Sequence, residues 1–196
     1  MKKFLVFLLV IAGILGLVAV FFSGTYNGLV QTDEKVKQAW AQVENVYQRR
    51  LDLIPNLVET VKGYAAFEKS TLVEVTEARS KAAGSISPDA VTDPAKFEQF
   101  QQSQAALGSA LSRLMVVVEK YPDLKANENF LSLQAQLEGT ENRISVERGR
   151  FNEAAQAFNT QFRQFPTNII AGIFGFKIKE YFKAEAEASK VPKVQF

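Results

Sequence analysis

An all-α fold, in which an N-terminal transmembrane helix leads into an up-down-up-down four-helix bundle, is predicted by three observations. An uncharged apolar run opens the chain from Phe4 to Phe22. Beyond it, apolar residues recur at three- and four-residue spacing over four long stretches, the repeat of a helix with one buried face. No stretch carries the alternation of a half-buried strand.

The opening run, FLVFLLVIAGILGLVAVFF, suits a hydrocarbon core that takes about 20 helical residues. A cleaved signal peptide has a shorter apolar region, of about 7 to 15 residues, and ends at small residues. Here the run leaves through Val20, Phe21, Phe22, Ser23 and Gly24, a poor cleavage site, so an uncleaved anchor is expected. Lys2 and Lys3 outweigh Lys35 and Lys37, which stand beside Asp33 and Glu34. That bias puts the N-terminus in the cytoplasm and the bulk of the chain outside it.

The first bundle helix reads from Tyr26 to Leu51, with Val36, Trp40, Val43 and Tyr47 inward. Asp52 can cap free backbone N–H groups and Pro55 fits a first helical turn, so a helix boundary is expected there. The competing reading is one kinked helix, since Val36, Trp40, Val43, Tyr47, Leu51, Ile54, Val58 and Val61 keep phase through Pro55. The hairpin is preferred because an interior proline costs about 3 kcal/mol. The second helix then runs from Pro55 to Lys81, with Leu57, Val61, Tyr64, Leu72 and Val75 inward. Gly84 to Pro94 is a loop, and its Asp89 and Asp93 lack the D-x-D-x-D-G spacing of a calcium site.

A third helix, Ala95 to Lys120, carries Phe97, Phe100, Leu107, Leu114 and Val118 at spacings that sum to heptads, a coiled-coil-like pattern, and stops at Pro122. The fourth, Asn127 to Gln164, is the longest, with Phe130, Leu133, Leu137, Ile144, Phe151, Ala155, Phe158, Phe162 and Phe165 on one face. Gly139 and Gly149 weaken it by about 1 kcal/mol each relative to alanine and mark where a bend is expected. The resulting organisation is an anchor over 1–24, a bundle over 25–182 and a tail over 183–196.

RRLDLIPNLVETVKGYAAFE, from Arg49 to Glu68, follows YNGLVQTDEKVKQAWAQVENVYQ and precedes VTEARS, and FNEAAQAFNTQFRQFPTNIIAGIFGF follows later. In this order the strings resemble the LemA family of bacterial membrane-associated proteins, over Tyr26 to about Phe182. The resemblance implies an N-terminal transmembrane segment and a helical bundle, without an activity to carry over. Phe151 and Phe158 depart from it, standing where tyrosine is favoured before asparagine, which removes any phenol hydroxyl there.

The chain has 23 basic and 21 acidic residues, and setting Lys2 and Lys3 aside leaves the remainder balanced. A nucleic-acid binder would show a basic excess, so none is expected as partner. Without histidine there is no Ser-His-Asp triad and no Glu-x-x-His di-iron site, and without cysteine no thiolate catalysis or thiolate zinc site. Phosphate-binding glycine loops are missing as well. The chain is therefore expected not to be an enzyme, with no cofactor, metal or evident small-molecule substrate. A membrane-anchored interaction or scaffold protein of the bacterial envelope with a protein partner is the leading reading. Carboxylate-based catalysis in the helices is the remotest.

The residues singled out as an interaction or structural motif are Arg50, Asp52, Pro55, Asn56, Asn152, Asn159, Ile169 and Phe174. Phe151-Asn152 and Phe158-Asn159 repeat one heptad apart, placing two asparagines on one line. They are boundary residues bonded to neighbouring helices or water, or, with Asn56, a polar recognition groove. Glu141 and Arg148 fall one heptad apart on the side of the apolar stripe, so either the stripe rotates and leaves them at its rim, the preferred reading, or they form a polar layer inside the bundle. The apolar segment 166–182 is too short to span a bilayer. It either seals the membrane-proximal end of the bundle or lies in the lipid interface with Lys177, Lys179 and Lys183 at the headgroups, the alternative reading of a lipid-surface protein.

Overall fold

The computed structural model describes residues 2–63 and 69–183. Six α-helices and one 3-10 turn lie among the described residues, with no strand among them: α1 Lys2–Lys62, α2 Lys69–Gly84, α3 Pro94–Val118, α4 Pro122–Lys125, α5 Glu128–Arg163 and α6 Thr167–Ile173. The 3-10 turn, Pro88–Thr92, lies in the loop before α3. There Asp93 caps α3 through Ala95 and Lys96 N–H, and Asp89 pairs with Lys96.

The boundary expected at Asp52 and Pro55 does not exist. α1 runs unbroken through Pro55 for 61 residues, about 90 Å of helix. Its phase explains why: Val36, Trp40, Val43, Tyr47, Leu51, Ile54, Val58 and Val61 are all buried, whereas Pro55 faces solvent. A proline at 55 leaves the Leu51 carbonyl without its helical N–H partner. Arg79 of α2 supplies the replacement, its Nε donating to that carbonyl at 2.8 Å. Asp52 caps nothing; it is exposed in mid-helix and accepts from Gln48 Nε2 at 2.8 Å. The second helix accordingly starts at Lys69, and Tyr64 lies outside the described residues.

α3 and α5 keep their expected bounds within two residues, and α5 is continuous through Gly139 and Gly149. Asn127 caps α5 by accepting from Phe130 N–H. α1 and α5 run antiparallel, since Thr32 bonds Gln161 while Arg50 pairs with Glu141. Gly28 lies at this contact, and a Cβ there would stand 2.8 Å from Gln161 Nε2, so the amide would have to shift. α2 and α3 are likewise antiparallel, linked by Glu74–Arg113 and by Ser103 Oγ donating to Ser85 Oγ at 2.6 Å. α3 runs beside α1 in the same direction, with Trp40 against Phe97 and Arg50 against Gln104.

The core divides by chemistry along this axis. Toward the C-terminal end of α1 it is mostly aliphatic, built on Leu51, Ile54, Leu57, Val61, Leu107 and Leu114 with Phe130. Toward the anchor it is aromatic, built on Trp40, Tyr47, Phe97, Phe100, Phe151 and Phe158. A polar layer separates the two. Buried Arg50 donates to Gln104 Oε1 at 2.7 Å and to Glu141 at the rim at 2.8 Å, and Gln104 Nε2 donates to the Ala82 carbonyl of α2. Every long helix contributes to it.

Replacing Arg79 with alanine should destabilise the chain by about 1–3 kcal/mol, the usual effect of stranding a buried polar partner. In a Pro55→Ala background the loss should shrink, because residue 55 then has an N–H for the Leu51 carbonyl. Urea unfolding of both single variants and the double variant in detergent measures this coupling, and equal losses in the two backgrounds would contradict it.

Candidate functional site

The residues with the most specific geometry meet at the C-terminal end of the described chain. α6 ends in a Schellman motif, with Phe176 N–H donating to the Ala171 carbonyl and Gly175 N–H to Gly172. Gly175 has φ +72°, a left-handed conformation that suits glycine. The chain then turns back over α5 as a non-helical strap, 176–183.

Asn159 donates from Nδ2 to the Lys179 carbonyl and accepts Lys179 N–H on Oδ1, both at 2.9 Å. Asn152 does the same to Phe182, again with both bonds at 2.9 Å. Each side-chain amide acts as a fragment of neighbouring strand. The registers agree: seven residues of helix rise about 10.5 Å and three extended residues about 10 Å. A further backbone bond, Glu180 N–H to the Val91 carbonyl, ties the strap to the 3-10 turn.

Two strap side chains are read as well as the backbone. Phe182 is buried in a box of Trp40, Phe97, Phe100 and Phe151, with ring centroids 5.0–6.3 Å away, and Arg148 covers it at 4.7 Å. Buried Lys179 lies over the Phe158 ring and pairs with Asp33 of α1. Lys37 holds the other oxygen of Asp33 at 3.0 Å. Burial pushes the Asp33 carboxyl up, but the bonds and charges of Lys179 and Lys37 outweigh it and hold the group below its ordinary range. Burial raises Glu44, although the Trp40 indole donates to it at 2.9 Å. By contrast Lys177, Ile178 and Tyr181 point to solvent.

α6 forms a foot beside the N-terminal apolar run of α1. Ile170 and Ala171 are buried in the aromatic core, while Phe165, Ile169, Ile173 and Phe174 are 82%, 52%, 67% and 55% exposed. Phe165 was expected to continue the inward stripe of α5, but that helix ends at Arg163 and leaves the ring outside. Phe174 packs on Tyr26, 4.6 Å between ring centroids, where α1 leaves its apolar run. Arg163 and Lys177 flank the foot, both exposed.

Of the residues singled out in the sequence, Asn152 and Asn159 meet on the strap, and Ile169 and Phe174 on the exposed side of the foot. Arg50 sits in the polar layer. Asp52, Pro55 and Asn56 lie on the solvent face of α1 beside the aliphatic core, away from the strap. Glu141 and Arg148 are at the rim as expected. Lys179, expected at the headgroups beside Lys177 and Lys183, is instead buried against Asp33, because the strap turns back over α5. Asp33, Phe182 and Arg79 were not legible as site residues. The heptad repeat of Phe-Asn was a signal for the ladder; nothing local marks the long-range partners.

The folded-state pKa of Asp33 is depressed, so its stabilisation is present above its unfolded pKa of about 3.9 and is lost as pH falls through the folded value. Trp40 is the single tryptophan and stacks on Phe182, so its emission reports the strap. That emission should stay blue from pH 7 to about 4 and shift red below. Asn152→Ala with Asn159→Ala should shift it red at pH 7 with helical circular dichroism retained; unchanged emission would contradict the ladder's role.

The sequence model described as "LemA family" matches residues 39–196. The magnetosome proteins MamQ 1 and MamQ 2 of Paramagnetospirillum magneticum are each 29% identical over 184 residues, covering 85% of this chain and 67% of their own. MamQ of Magnetospirillum gryphiswaldense is 28% identical over 174 residues, covering 80% of this chain and 64% of its own. Protein LemA of Metamycoplasma hominis is 27% identical over 191 residues, covering 97% and 80%. The chain thus spans about two thirds of the magnetosome relatives and most of the mycoplasma one. With a family match over most of its length and an all-helical fold behind one long apolar helix, the chain belongs to the LemA family.

Proposed function

We propose that the protein is a single-pass, membrane-anchored scaffold of the bacterial envelope, presenting helical faces to a protein partner. Residues 1–24 are its anchor, 25–182 an up-down-up-down four-helix bundle outside the cytoplasm, and 183–196 a tail. One observation carries this reading: the apolar run and the first core helix are the same helix. From Tyr26 to Lys62 that helix extends about 55 Å, which holds the polar layer and the aliphatic core away from the bilayer as a rigid stalk. Membership of the LemA family and kinship with proteins named for the magnetosome fit a membrane-associated helical protein. The missing histidine and cysteine favour a binding role over catalysis.

A second reading, contact with the lipid surface, is favoured by the foot. Its four exposed apolar side chains adjoin the anchor's exit, and Arg163 and Lys177 are placed for headgroups. The contact then involves residues 165–174 rather than the whole of 166–182, since the strap's lysine and phenylalanine are spoken for. Both readings hold together, because a foot in the interface fixes the tilt of the stalk.

Single cysteines at exposed Ser109 and at Ile173 test both in a chain that has none. A membrane-impermeant maleimide should label Ser109→Cys in intact cells, with any outer membrane permeabilised, and should reach Ile173→Cys only after detergent. Ser109→Cys protected until lysis would reverse the orientation. Ile173→Cys labelled as readily as Ser109→Cys would remove the lipid contact.

A further inference from the structure

We propose that the groove over α5 is a binding site for extended Lys-x-x-Phe segments, and that Lys193–Phe196 of the same chain is its second ligand, competing with Lys179–Phe182 for one seat. The site selects by two side chains and otherwise grips backbone. Asn152 and Asn159 bond only the N–H and carbonyl of the residues they face, which any extended peptide offers. Asp33 and the Phe158 ring take a cation at one position. Three residues on, the box around Trp40 takes an aromatic ring. The two intervening side chains, Glu180 half-buried and Tyr181 exposed, leave the groove without a preference there.

The sequence satisfies this pattern twice. Lysine followed three residues later by phenylalanine occurs at Lys179–Phe182 and again at Lys193-Val194-Gln195-Phe196, and at no other lysine. The second copy keeps the backbone groups that Asn152, Asn159 and the Val91 carbonyl use. Val194, the counterpart of Glu180, has the N–H that bonds the Val91 carbonyl. Pro192 falls at the counterpart of Ile178, whose side chain is exposed, and proline there favours extended backbone before the lysine. An empty groove would expose Trp40, Phe97, Phe100 and Phe151 and leave Asp33 with Lys37 alone, so the occupant exchanges rather than leaves. Exchange within one chain is favoured by the short intervening segment, because closing a loop of this length concentrates the second ligand at the seat. When the second segment seats, residues 176–182 are released, while Ile170 and Ala171 keep the foot on the core.

Cross-linking of full-length chains tests this directly. Gln156 is exposed between Asn152 and Asn159 on α5, and Gln195 holds the register of Tyr181. With a short bismaleimide, Gln156→Cys/Tyr181→Cys should give an adduct within the chain, and Gln156→Cys/Gln195→Cys should give the same adduct in lower yield. Lys193→Ala with Phe196→Ala should abolish the second adduct and leave the first intact. Lys179→Ala with Phe182→Ala should raise the second adduct several-fold. If the Gln195→Cys adduct fails to form, or forms regardless of Lys193 and Phe196, the proposal is overturned. An adduct found only between separately tagged chains would overturn the assignment to the same chain.

Discussion

The continuity of α1 through Pro55 is the constraint on which the rest of the structure depends. A proline in mid-helix is tolerated only where the freed carbonyl finds another donor and the ring stays out of the core. Both conditions are met, with Arg79 on the Leu51 carbonyl and Pro55 facing solvent. Because α1 does not break there, its apolar stripe reaches from Leu29 to Val61 in one phase. α5 then packs against it in the opposite direction over most of that length. α2 gains a fixed position from the same bond that rescues the proline. A defect in one helix has become the register mark for its neighbour.

The aromatic and aliphatic halves of the core are joined through Arg50 and Gln104. A buried cation must be hydrogen-bonded or it is strongly unfavourable, so helices that slide against one another would strand the guanidinium. Apolar side chains tolerate such slips better. The anchor-side half has a second special feature: its box of rings is completed by Phe182, a residue from outside the long helices. The strap is therefore part of the core, and the groove it fills is defined by rigid elements on every side. An Asp33 held below its ordinary range fits a seat built to keep a lysine at neutral pH.

The helical periods were legible because each stripe lies on one continuous face, as in Phe97, Phe100, Leu107 and Leu114. The boundary expected at Pro55 fails because local rules weigh Asp52 and Pro55 by their own chemistry, while the deciding donor, Arg79, stands 28 residues beyond Leu51. The site was half legible. Phe151-Asn152 and Phe158-Asn159 announced a line of polar groups beside an aromatic stripe. That line faces backbone of the chain itself, and backbone bonds leave no trace in the identity of the residues that supply them. Asn56 shares only a residue type with the ladder. The foot was legible as an apolar segment, but its division into buried Ile170 and exposed Ile173 follows from where α6 docks.

The N-terminal apolar run and the first core helix form one rod. Pulsed electron paramagnetic resonance between nitroxides at Ser23 and Asn45, exposed positions on α1, measures it in a bilayer. A continuous helix predicts one narrow distance distribution centred at about 33 Å. A broad distribution extending to shorter distances would mean a hinge at the membrane exit and would contradict the account.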